Sequence, residues 1–169
     1  MGAKSIRLKI SLRPGFLEYG NAVQGLLAGF SMASFTRARS ALETCRRSRR
    51  NLFLCGNGGS AANANHLATD LVYGVGSRGK PLFRAHSLAA NPSVLTCLGN
   101  DTGYAQTFSR QLRALAQPWD VLVAFSGSGN SPNIIEALRT ARRMKVLTIA
   151  FLGFSGGACP RRRSLYQKS

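Results

Sequence analysis

The chain has 169 residues, with 23 Lys and Arg against 6 Asp and Glu, a formal net charge of +17 and 44% hydrophobic residues. That length is one domain, large enough to bury a core without disulfide or metal staples, and no apolar run reaches the ~18 residues of a membrane span. The four cysteines, Cys45, Cys55, Cys97 and Cys159, show no CxxC spacing and read as free thiols in a reducing, cytoplasmic compartment.

Residues 1–16 are basic, lack acids and have neither an apolar h-region nor a small-residue cleavage site, so they read as an ordinary leader. From about Gly15 to Arg50 the apolar residues Leu17, Val23, Leu26, Leu27, Phe30, Met32, Phe35 and Leu42 recur at helical spacing. They predict one long helix or two, with apolar surface for a partner subunit. Asn51–Cys55 is an apolar strand that runs into a Gly/Ser turn, Gly56–Ser60, and then a helix to about Tyr73. On that helix Asn63, His66 and Asp70 share one face, while Ala64, Leu67, Ala68 and Leu71 share another that can pack on a sheet. Gly74–Leu82 reads as loop, Phe83–Leu88 as a candidate strand, Ser93–Leu98 as a short helix or strand, and Gly99–Gly103 as a polar loop. Tyr104–Ala116 reads as an amphipathic helix through Phe108, Leu112 and Leu115.

The opening pattern then returns. Asp120–Phe125 is a strand, Ser126–Ser131 a second Gly/Ser loop, and Pro132–Met144 a helix that Ser131 can cap. Val146–Leu152 is a further strand. Strands alternating with helices imply a parallel sheet with helices on both faces and a ligand at the carboxyl ends of the strands. From Cys159 the chain reads CPRRRSLYQKS, without apolar periodicity; it resembles neither a strand nor a core helix and is expected to be exposed.

Both Gly/Ser loops suit an anion, because turn amides and a helix start direct donors outward. Gly56–Ala61 matches G-x-G-x-x-A, but the acid expected about 20 residues on is missing, and neither loop is followed by a Walker lysine. Hence no nucleotide cofactor is expected; Ser-rich loops suit a monophosphate, the alternative being two tight turns without a ligand. His66 and Asp70 are either an i,i+4 hydrogen-bonded pair or a metal-ligand or acid/base set. Asn100 and Asp101 either form an Asx-type turn or hydrogen-bond substrate hydroxyls. Cys55, at a strand end, reads as packing. The basic residues fall in separate clusters, Arg37–Arg50, Arg139–Lys145 and Arg161–Lys168, without interleaved aromatics. That pattern fits solvated helix faces better than a nucleic-acid surface.

Together these segments resemble the SIS (sugar isomerase) domain, and within it the phosphoheptose isomerase group. GNGGSAANANHLATDL is similar to that group's GNGGS…H…E segment, GNDTGYAQTFSRQL to its ND-x-GY…FSRQ segment, and VLVAFSGSGNSPNIIEAL to its SxSGNSxN loop and helix. The resemblance places a SIS domain over residues 17–158. It implies a flavodoxin-like three-layer α/β sandwich, assembled as a homotetramer with sites at subunit interfaces. It implies conversion of sedoheptulose 7-phosphate to D-glycero-D-manno-heptose 7-phosphate, an early step toward surface-polysaccharide heptose. By position, Asn57, Gly58, Gly59 and Ser60 would contact substrate, Ser126, Gly127, Ser128 and Ser131 would hold the phosphate, and Asn100 and Asp101 would touch the sugar chain. His66 would be a zinc ligand, and Asp70 falls where the family has a Glu that is both metal ligand and general base.

Two departures bear on catalysis. Asp70 is one methylene shorter than Glu, and the family's last helix, which supplies a Gln and a His as zinc ligands and proton donor, has no counterpart, so the zinc set is incomplete. Residues 159–169 are therefore expected to be a truncated or frame-shifted ending. The alternative function is a non-catalytic SIS module that binds a phosphosugar effector or a partner protein such as a replication initiator; a basic nucleic-acid-binding protein on this fold comes third.

Overall fold

The structure is a computed structural model, and it describes residues 12–74, 82–159 and 164–168. Most of the leader and all but the ends of the 74–82 loop lie outside the described residues. The chain forms two units that divide after Phe30. The first is built on helix α1 (Leu12–Ala28), which starts inside the stretch assigned to the leader. Pro14 falls in its first turn, where a missing N–H is harmless. Phe16, Leu17, Tyr19, Leu26 and Leu27 are exposed on it.

The second unit begins with α2 (Met32–Arg47). The choice between one helix and two resolves as two, because Ser31 Oγ accepts the Ser34 N–H at 3.3 Å and starts a new helix. Next come β1 (Asn51–Cys55) and α3 (Gly59–Thr69), which runs on into a π-helical turn at Asp70–Gly74. They are followed by β2 (Arg84–Ser87), α4 (Pro92–Thr102), a 3-10 turn (Tyr104–Gln106) and α5 (Thr107–Leu115). The chain continues through β3 (Val121–Ser126), α6 (Pro132–Arg143), β4 (Leu147–Leu152) and β5 (Ser164–Lys168).

The five strands form one parallel sheet in the order β2-β1-β3-β4-β5. Alternate residues of each central strand serve opposite layers, as the pleat requires. Phe53, Cys55, Leu122, Ala124, Ala150 and Leu152 pack with Phe108 and Leu112 of α5 and Ile134, Ala137 and Leu138 of α6. Leu52, Leu54, Val121, Val123 and Ile149 pack with Ala38 and Cys45 of α2 and Ala64 and Ala68 of α3. Burial on both faces is why these strands read as unbroken apolar runs. The result is the expected three-layer α/β sandwich, and the face of α3 carrying Ala64, Leu67, Ala68 and Leu71 packs on the sheet as expected. Among the described residues, no helix is long and apolar enough to cross a membrane.

Three expectations are corrected. Asn100 and Asp101 lie not in a loop but in the last turn of α4, which Asn91 caps through the Val94 N–H at 3.1 Å. The helix tolerates this polar end because Thr102 donates back to the Leu98 carbonyl at 2.8 Å, and Gly103, at φ 84°, then stops it. The amphipathic segment from Tyr104 opens as a 3-10 turn before α5. The basic tail contains a strand: Ser164–Lys168 pairs with Thr148–Leu152 of β4. An open sheet edge presents unpaired backbone groups to any chain that returns to it, whatever that chain's side-chain periodicity.

Part of the basic excess, five arginines, meets helix carboxyl ends, where cations complement the dipole. Arg46 and Arg47 end α2, Arg113 falls in the last turn of α5, and Arg142 and Arg143 end α6. Glu43 pairs with Arg46 and Arg47, and these hydrogen bonds pull its pKa down to about 2.

Asp120 anchors the amino end of the sheet. Buried, it accepts from the Asn51 N–H at 2.9 Å, the Asn51 side chain at 3.3 Å and the Gln117 N–H at 2.9 Å. Asp120→Ala strands these donors, so urea denaturation should show a loss of roughly 2–4 kcal/mol. Ligand binding at the opposite end of the sheet should be unchanged.

Candidate functional site

The strand order reverses between β1 and β3: from this pair the chain builds outward to β2 on one side and to β4 on the other. A parallel sheet opens a crevice at the carboxyl ends of such a pair. Gly56–Ser60 leaves the carboxyl end of β1, and Gly127–Ser131 leaves that of β3.

The first turn is tight. A methyl at Gly56 would overlap the Ser60 backbone and lie 2.8 Å from its Cβ. The Ser60 and Ala61 N–H groups close onto the Asn57 and Gly58 carbonyls at 3.0 and 2.9 Å. Gly58 stands at the start of α3 and supplies no side-chain cap. In the second loop the buried Ser126 Oγ accepts the Gly129 N–H at 3.1 Å, and Ser128 Oγ accepts the Asn130 N–H at 3.1 Å. Ser131 occupies the N-cap position of α6 but makes no capping hydrogen bond, contrary to expectation; Asn133 Oδ1 takes the Ile134 N–H instead, at 3.0 Å.

The contrast with α2 and α4 matters here. Those helices carry side-chain caps, from Ser31 and Asn91. The two that follow the Gly/Ser loops do not. Their N-cap residues, Gly58 and Ser131, supply no side-chain cap, and both helix starts lie at the same end of the sheet, where the dipole favours an anion.

The loops meet directly. Asn57 and Asn133 exchange carboxamide hydrogen bonds at 2.9 and 2.8 Å, and the Tyr104 hydroxyl donates to Asn57 Oδ1 at 3.0 Å. Neither Tyr104 nor Asn133 was singled out from sequence, although both lie within the family-like segments. On α3, His66 and Asp70 form an exposed pair, Nε2 to Oδ2 3.5 Å, and Asn63 is exposed too. Nearby, Ser87 at the end of β2 donates to Asn65 Oδ1 at 2.6 Å. Among the described residues no group of three His, Cys, Asp or Glu comes together as a metal site.

Asn100 and Asp101 use their hydrogen bonds locally. Asn100 donates to Asp101 at 2.8 Å and Cys97 Sγ to Asp101 at 3.3 Å. These bonds, Asn100's foremost, lower the Asp101 pKa, while the Asp101 contact raises that of Cys97. The four cysteines are free thiols. Burial pushes the Cys55 thiol up, consistent with packing, and raises Cys45 to about 11. Cys97 alone is exposed, so a thiol dye should label one group in the folded chain and four after denaturation. Asp101→Asn, by removing the anion beside Cys97, should speed that labelling several-fold.

The SIS domain family model matches residues 18–153. A phosphoheptose isomerase of Akkermansia muciniphila is 47% identical over 120 residues, 71% of this chain and 62% of that protein. One from a Bradyrhizobium species is 44% identical over 125 residues, 74% and 63% of the two chains. The chain therefore spans a little over three fifths of the length of these relatives. The solved phosphoheptose isomerase of Neisseria gonorrhoeae superposes with a TM-score of 0.79 at 34% identity, over 92% of this chain and 83% of that one. That of Francisella tularensis superposes with a TM-score of 0.80 at 28% identity, over 92% and 84%. Fold, loop placement and family model converge: the chain belongs to the SIS domain family.

Proposed function

We propose that the chain is a phosphosugar isomerase of the phosphoheptose type, interconverting sedoheptulose 7-phosphate and D-glycero-D-manno-heptose 7-phosphate. The observation that carries this reading is the pair of helix starts, on α3 and α6, that follow two Ser/Gly loops at the carboxyl ends of adjacent strands and are joined by the Asn57–Asn133 bond. A sugar phosphate needs such a grip: binding energy at the remote phosphate positions the reacting carbons. The relatives' names add the heptose phosphate as substrate.

In this reading Gly58, Gly59 and Ser60 and the loop of Ser126, Gly127, Ser128 and Ser131 hold the phosphate end. Asp70 takes the proton from C1 of the ketose and returns it to C2 of the enediol, while a proton passes from the C1 hydroxyl to the C2 oxygen. His66, 3.5 Å from Asp70, is placed to hold that carboxylate or to move the hydroxyl proton. Zinc does not fit the residues in hand. A catalytic zinc takes three protein ligands, His66 and Asp70 are two, and no third His, Cys, Asp or Glu joins them among the described residues. No step is therefore routed through a metal. Asn100 and Asp101, turned to each other and to Cys97, are assigned to the sugar chain only by resemblance.

The same shortfall favours a second reading, a SIS module that binds a phosphosugar without turning it over. A coupled assay of sedoheptulose 7-phosphate isomerisation, run beside calorimetric binding of the same sugar, separates the two. Turnover establishes the enzyme; binding without turnover establishes the module. The exposed apolar residues of α1 support assembly with identical chains as a homotetramer, and the free thiols support a cytoplasmic location.

A further inference from the structure

The contact between the two loops is more specific than proximity requires. The Ile134 N–H can only donate, so its bond to Asn133 Oδ1 at 3.0 Å fixes which atom of that carboxamide is oxygen. Asn57 Nδ2 then donates to the same oxygen at 2.9 Å, and Asn133 Nδ2 returns a bond to Asn57 Oδ1 at 2.8 Å. The result is a closed amide–amide ring. Tyr104, on the 3-10 turn before α5, adds its hydroxyl to Asn57 Oδ1 at 3.0 Å. Both lone pairs of Asn57 Oδ1 are thereby occupied, and one of its two side-chain N–H bonds is engaged. What Asn57 can still offer a ligand is a donor.

Asn133 is 1% exposed, in the first turn of α6, and Asn57 lies 76 residues away in the turn after β1. Asn57 is only partly buried, but the buried Asn133 carboxamide has no water to replace a lost partner, which makes the pair intolerant of substitution. The bond joins the two helix starts that follow the Gly/Ser loops at the carboxyl end of the sheet.

We propose that Asn133 is a positioning residue: by pairing with Asn57, with Tyr104 as third member, it locks the two Gly/Ser loops into one rigid clamp. The clamp holds Asn57 in a donor-only state, so that the crevice selects oxygen acceptors such as phosphate and sugar oxygens. This role rests on the reading of the loops as a phosphosugar grip.

Calorimetric titration of inorganic phosphate and of sedoheptulose 7-phosphate into the full chain tests it, with melting temperature and circular dichroism read in parallel. Asn133→Ala and Asn133→Asp should each weaken phosphate binding about tenfold or more in protein that remains folded, a 1.4 kcal/mol loss per tenfold. Asn133→Asp, which turns a second acceptor toward Asn57 Oδ1, should be the worse of the two. Tyr104→Phe should weaken binding less, by a few-fold. Asn57→Ala should also weaken binding, and the double variant Asn57→Ala/Asn133→Ala should lose less than the sum of the two single losses, since the two act as one unit. Folded Asn133 variants that keep full affinity, or that lose only thermal stability, overturn the positioning role and leave the phosphosugar grip standing. Additive losses in the double variant overturn the pairing as its basis. Failure of the unaltered chain to bind either anion overturns the phosphosugar reading and this role with it. Should Asn133→Ala fail to fold, Tyr104→Phe, at an exposed side chain, carries the test: unchanged affinity there overturns the three-residue lock.

Discussion

Asp70→Ala is expected to abolish sedoheptulose 7-phosphate turnover, by about a thousandfold or more, while phosphosugar affinity stays within a few-fold. The asymmetry follows from where Asp70 lies. It opens the π-helical turn that closes α3, and its half-exposed side chain faces solvent beside His66. The proposed phosphate grip, by contrast, lies at the other end of α3 and at the start of α6. Removing the carboxylate takes away a proton acceptor and leaves the anion site whole. Asp70→Glu sharpens the test. The resemblance sets a Glu at this position, and a base withdrawn by ~1 Å can lose on the order of a hundredfold. Restoring the methylene should therefore raise kcat by up to about that factor without moving the phosphate affinity. A chain whose Asp70→Glu variant stays inert while binding normally is the non-catalytic module. Coupled-assay kcat and calorimetric Kd, measured on the same preparations, decide between the two.

What could be read from the residues, and what could not, follows from the range of the interactions. Residues 52–55 and 121–125 announce themselves because both faces of a central parallel strand are covered, which favours apolar residues at successive positions. The Gly/Ser loops announce themselves because a tight turn at Gly56 admits no side chain. Asn100–Thr102 misleads, since three polar residues before a glycine look like a loop. α4 nonetheless continues through them, with the Thr102 hydroxyl bonded back to the Leu98 carbonyl, and stops only at Gly103. β5 misleads for a different reason: its strand character comes from the open edge of β4, not from its own pattern. The clasp between Asn57 and Asn133 is invisible at short range, because nothing local in either residue reports a partner 76 positions away. Asn133 also takes the capping bond that local spacing assigns to Ser131. Ser131 makes no capping bond, as its proposed phosphate role requires.

Gly129→Ala is expected to cost roughly 2–4 kcal/mol of stability and to weaken phosphate binding at least about tenfold, and both losses have one cause. Gly129 adopts φ 65°, a conformation side chains resist. A methyl built there would overlap the Gly156 carbonyl and come within 3.0 Å of the Gly157 nitrogen. The segment after β4 is stacked backbone to backbone on the phosphate loop. Gly153 N–H donates to the Ser126 carbonyl at 3.1 Å, and the Ala158 N–H to Asn130 Oδ1 at 2.9 Å. Forcing the two apart also strains the Gly129 N–H from Ser126 Oγ, the bond that shapes the cradle. Gly127→Ala gives the contrasting case. Nothing lies within 4 Å of a methyl there, so the fold should lose well under 1 kcal/mol. Yet Gly127 opens the same loop at the carboxyl end of β3, so under the proposed phosphate grip its methyl should weaken phosphate affinity. Denaturant midpoints and calorimetric phosphate titration of the two variants should therefore diverge: Gly129→Ala loses both, Gly127→Ala loses binding with stability kept. Equal behaviour of the two would mean that the loop serves the core alone. Divergence ties the glycines of this loop to two separate demands, close packing of backbone on backbone at Gly129 and an open surface for the ligand at Gly127.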